Sequence, residues 1–74
     1  MIRARQLRDL KNARPFRPFK IHMADGKTYE VPHHGAAMVL QDFLRVGVDF
    51  NQAGIPARAV TCPLSEISQI EEVL

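Results

Sequence analysis

The chain has 74 residues, room for one domain, and with 46% hydrophobic and 24% charged side chains it is too apolar for a disordered tail. Its net charge of +2 conceals a division: residues 1 to 20 carry seven basic side chains against Asp9 alone, a local charge of +6, while the remainder carries three basic and seven acidic, a charge of −4. The single cysteine, Cys62, excludes an internal disulfide and a cysteine-rich zinc knuckle, and no apolar run approaches the ~20 residues that cross a bilayer.

Residues 2 to 13 suit a short amphipathic helix, with Ile2, Gln6, Leu7, Leu10 and Ala13 on one side and Arg3, Arg5, Arg8 and Lys11 elsewhere. Pro15 ends it and pushes Arg14 toward extended geometry, which defines a basic helical segment over residues 1–14. Phe16 and Phe19 then plug one end or face of a sheet. From Phe19 the alternation is strict: Phe19, Ile21 and Met23 face one way, Lys20 and His22 the other. Asp25-Gly26 favours a tight turn, after which Tyr29 and Val31 continue the apolar face until Pro32 stops the strand.

Residues 32 to 40 read as a connecting turn. Leu44, Val46 and Val48 alternate with Phe43, Arg45 and Gly47 as a strand does, and Asn51 to Pro56 makes a turn around Gly54. Ala57 to Cys62 gives a fourth strand broken by Pro63, residues 64 to 67 one tight turn, and Ser68 to Val73 a fifth short strand. A helix followed by five short strands, with a turn before the last, is the order of a small SH3-like or Sm-like barrel. The expected protein is therefore mainly β, an antiparallel barrel over residues 18–73, with an open sheet crossed by the helix as the other arrangement of the same elements. Its expected core is Phe19, Ile21, Met23, Tyr29, Val31, Leu44, Val46, Val48, Val60, Ile67 and Ile70.

Over ProPheArgProPheLysIleHisMetAlaAspGly the chain resembles a group of short bacterial proteins of unknown function. Their recurrent pattern is Pro-Phe-x-Pro-Phe-x-Ile-His followed by Asp-Gly and a Val-x-His step. The resemblance covers residues 15 to 34 and, more loosely, IleSerGlnIleGlu at 67 to 71. Here Pro32 precedes His33-His34, whereas those proteins place a proline after the histidine. The resemblance implies a fold and no activity.

The residues carry little that points to catalysis or to a bound cofactor. His22, His33 and His34 lack the third and fourth ligands that a transition-metal site needs. Cys62, between Thr61 and Pro63, reads as a small core residue, and the four glycines are too dispersed for a phosphate loop. What remains is interaction. A core this small is thin, so a homo-oligomer or a protein partner is expected, with Leu7, Leu10 and Phe16 as docking residues. The alternative is weak, sequence-independent RNA or DNA binding by Arg3, Arg5, Arg8, Lys11, Arg14 and Arg17. The basic N-terminus without the apolar stretch of a signal peptide, and the lone cysteine, place the expected protein in the cytoplasm, soluble and away from membranes.

Overall fold

A computed structural model describes residues 2–73; Met1, at the edge of the helical segment expected over 1–14, lies outside them, as does Leu74. Helix α1 spans Ala4–Lys11, a run of good helix formers free of β-branched residues. It starts where the Gln6 side-chain oxygen accepts the Arg3 backbone N–H at 3.0 Å. It stops at Asn12, whose N–H donates to the Arg8 carbonyl at 2.9 Å, since Pro15 lacks the N–H to continue. Leu7 is its one fully buried side chain, and Ala4 and Leu10 lean on the same core.

Strands β1 (Phe19–Met23) and β2 (Thr28–Val31) form the expected hairpin, with Phe19, Ile21, Met23 and Val31 buried. Its loop is three residues long: the Gly26 N–H donates to the Met23 carbonyl at 3.0 Å, and the Met23 N–H to the Lys27 carbonyl at 2.8 Å. Gly26 closes it at φ +93°, a conformation that only glycine adopts freely, and Asp25 Oδ1 accepts the Lys27 N–H at 2.9 Å.

The expected five-stranded closed barrel is not what the chain forms. Six strands make two three-stranded antiparallel sheets, ordered β2-β1-β6 and β3-β4-β5. The extra strand is β3 (Ala37–Val39), inside the segment expected as a connecting turn. It pairs with β4 (Phe43–Phe50) through Ala37 opposite Val46, Met38 opposite Arg45 and Val39 opposite Leu44. Between β2 and β3 the chain crosses from one sheet to the other without a ladder. Pro32 has no N–H to offer, and His34–Ala36 coil into a 3₁₀ turn. Strand β5 (Pro56–Pro63) returns along β4, a second 3₁₀ turn occupies Leu64–Glu66, and β6 (Ile67–Glu72) closes on β1. The protein is thus mainly β with an N-terminal helix.

One core joins the layers. Phe19, Ile21 and Val31 from the first sheet, Leu44, Val46 and Cys62 from the second, and Leu7 from α1 are all inaccessible to solvent. Of the other expected core residues, Tyr29, Val60 and Ile70 are half-buried and packed against this core and Val48 is half-buried, while Ala36, Ala37 and Leu64 are buried without having been expected. Val48 is next to an irregular point of β4. Asp49 sits there at φ +57°, which Asp tolerates better than most residues. The ribbon folds back on itself until the Pro56 ring lies over Gly47: a Cβ added to Gly47 would stand 2.8 Å from Pro56 Cβ. Among the described residues no helix is long and apolar enough to cross a membrane.

Candidate functional site

Helix α1 does not lie flat on β3. Between them runs a groove of about 570 Å³, with Arg5, Arg8 and Lys11 on the helix side and Met38, Val39 and Leu40 on the strand side. The three cations recur every third position, so they share one side of α1. Met38 is 58% exposed and Leu40 41%, although both are large and apolar. The next such residue, Phe43, is 42% exposed, and its carbonyl accepts the Leu40 N–H at 2.8 Å. One wall is cationic, the other apolar, and no acidic side chain lines either.

A histidine links the two walls at one end. His34 Nδ1 lies 3.0 Å from the Lys11 carbonyl; a carbonyl only accepts, so Nδ1 carries the proton. This bond ties the C-terminal end of α1 to the 3₁₀ turn from which β3 departs.

The structure separates the six expected phosphate-binding cations. Arg5 and Arg8 meet with Lys11 at the groove; Arg3 lies beside Asp42 and Leu64 in a neighbouring cleft; Arg14 and Arg17 flank a third, which Glu72 also lines. Among the described residues none of the six makes an ion pair; Arg58 pairs with Asp49 at 2.9 Å, and His22 meets Glu71 at the same distance. Of the three expected docking residues, Leu7 is enclosed in the protein's own core and cannot meet a partner. Leu10 and Phe16 are half-buried against that core, Phe16 with its ring centroid 6.1 Å from that of Phe19. The apolar side of α1 is therefore used internally. The exposed apolar surface lies instead at Met38, Leu40, Phe43 and Ile55, which the sequence reading missed. A signal was available: Met38-Val39-Leu40 is more apolar than a connecting turn needs.

The other reactive groups are engaged separately. His22 Nε2 donates to Glu71 at 2.9 Å while its Nδ1 faces the Thr28 hydroxyl at 3.2 Å; His33 meets Phe50 edge-on at 5.5 Å; His34 holds Lys11. Among the described residues no three His, Cys, Asp or Glu side chains converge as metal ligands would. Burial, and secondarily the charge of Asp25, pushes the Cys62 thiol above its ordinary range, which makes it a poor nucleophile. Neither a protein-family model nor a curated protein nor a solved structure matches the chain.

Proposed function

We propose that this chain is a small non-catalytic interaction module of the cytoplasm that binds protein, either a partner or its own copies, at the groove between α1 and β3. The observation that carries this reading is the exposure of Met38 and Leu40 in a concave site opposite three cations that have no acidic partner among the described residues. Apolar side chains this exposed, gathered in a recess, mark a contact surface more than a solvated one. On this reading the strand order β6-β1-β2 followed by β3-β4-β5 is an opened relative of an SH3-like barrel whose second strand is broken in two at Pro32–Ala36. The short bacterial proteins with the Pro-Phe-x-Pro-Phe pattern would share it.

Sedimentation velocity over a range of roughly micromolar to submillimolar protein tests for self-association, and chemical cross-linking tests for partners. The double variant Met38→Ser, Leu40→Ser is expected to lose whichever association the wild type shows. Association that is unchanged in the variant refutes the groove as its seat.

A second reading is favoured by six cations that make no ion pair among the described residues: weak, sequence-independent binding of RNA or DNA by Arg3, Arg5, Arg8, Lys11, Arg14 and Arg17. It predicts an electrophoretic shift of mixed oligonucleotides at low salt that fades steeply as salt is added. No shift at about tens of micromolar protein removes it.

A further inference from the structure

We infer that the groove takes an acidic, amphipathic segment of a partner protein, with its carboxylates on Arg5, Arg8 and Lys11 and its apolar side chains on Met38 and Leu40. This rests on the protein-binding reading above and commits that site to one kind of occupant.

The two walls define the occupant by complementarity. Along a helix rising ~1.5 Å per residue, Arg5, Arg8 and Lys11 spread their charge over a line of roughly 9 Å. That length faces about two turns of a docked helix or three residues of an extended strand. Guanidinium groups grip carboxylates with two parallel hydrogen bonds, so the cationic wall selects acidic residues at regular spacing. The opposite wall asks for apolar side chains, and Met38, unbranched and polarisable, accommodates more than one shape. Charge alone would serve a phosphate equally well, so the rest of the groove decides. No aromatic side chain lines it, which removes the stacking platform that single-stranded nucleic acid uses. The interfacial binding helix of a membrane surface carries its cations and apolar residues on one element, whereas here the cations are on α1 and the apolar side chains on β3 and its end. Only a ligand acidic on one flank and apolar on the other satisfies both walls together.

The probe is a fluorescein-labelled synthetic peptide of about twelve residues, glutamate on one flank and leucine on the other at helical spacing. Its controls are the same peptide with glutamine in place of glutamate, and a mixed-sequence single-stranded oligonucleotide. Fluorescence anisotropy is expected to show saturable binding of the acidic peptide, weakened about tenfold or more by Arg5→Glu with Arg8→Glu, and comparably by Met38→Ser with Leu40→Ser. The glutamine peptide should bind less well. All four substituted side chains are on the surface, and circular dichroism checks each variant; Arg8→Gln and Leu40→Gln stand in for any that unfolds. Tighter binding of the oligonucleotide than of the acidic peptide overturns the inference, as does peptide binding insensitive to Met38 and Leu40, or no saturable binding at about 100 µM. When the peptide fails, sedimentation separates the two claims. Association that still depends on Met38 and Leu40 leaves the protein-binding reading standing and sinks only the acidic occupant, while loss of both sinks both.

Discussion

His34 and Lys11 are 23 positions apart in the chain, yet the imidazole Nδ1–H of the first meets the backbone carbonyl of the second at 3.0 Å. The helix end would otherwise present that carbonyl to water alone, and the histidine that occupies it belongs to the turn leading into β3. That bond joins the two walls of the groove at one end, while Leu7 holds the helix to the core.

His34→Ala should cost about 0.5 to 1.5 kcal/mol in urea denaturation, toward the lower end because the site is exposed. Amide exchange should quicken in the last turn of α1 and not in β4. Equal quickening in both would mean that the histidine supports the whole fold and not the docking of the helix.

Leu7→Ala removes a side chain with no accessible surface and should destabilise by about 2 to 5 kcal/mol. Arg5→Glu, on the exposed side of the same helix, should move stability by no more than about 0.5 kcal/mol. Thermal unfolding of the two variants side by side checks the contrast. Comparable losses would show that the helix is not anchored by Leu7.

At Gly47 the obstacle is steric. The rigid Pro56 ring stands 2.8 Å from where an alanine Cβ would be, so Gly47→Ala must push the folded-back ribbon open, at about 1 to 3 kcal/mol. The companion change Pro56→Ala should relieve much of that cost. A double variant no more stable than Gly47→Ala alone would place the strain elsewhere.

Cys62 gives a pH dependence with a definite sign. Its folded-state pKa is raised, by burial first and by Asp25 second, so its stabilising contribution is complete below the ordinary thiol range and is lost as pH climbs through it toward the folded value. Between about pH 8 and pH 10 the denaturation midpoint of the wild type should fall further than that of Cys62→Ala. A thiol reagent should label native protein far more slowly than unfolded chain. Equal labelling rates would show the thiol to be open to solvent.

Much of this architecture is legible locally. Phe19, Ile21 and Met23 alternate because one side of β1 is core, and Gly26 is needed where the loop turns left-handed. Pro63 and Leu64 announce the break between β5 and β6. What the sequence hides depends on distant partners. Ala36 to Leu40 is an uninterrupted apolar run with no period to separate strand from turn, and only its ladder with β4 makes part of it a strand. Val48 and Val60 keep a strand's alternation but lie half-exposed, Val60 opposite the buried Val46 and Val48 beside the positive-φ Asp49, and alternation alone does not show how far a residue is covered. Leu7 looks like any residue on the apolar side of a free helix, and its burial follows from where α1 docks. The groove was invisible for the same reason: its walls come from two segments with no local signal that they meet.

His22 and Glu71, 49 positions apart, mark the pairing of β1 with β6, a long-range closure that bears on how the chain assembles. The β1–β2 and β4–β5 hairpins close over short loops and can form within microseconds, whereas β6 must find β1 across most of the sequence before the first sheet is complete. Topology of this kind slows folding toward the millisecond range or beyond, about what all-β domains show and well short of the speed of small helical bundles. Until β6 arrives, the β1 edge beneath it stays unpaired, and the nascent hairpin is open to the wrong strand of a neighbouring molecule. Refolding yield should therefore fall as protein concentration rises, even where the finished protein shows no tendency to aggregate.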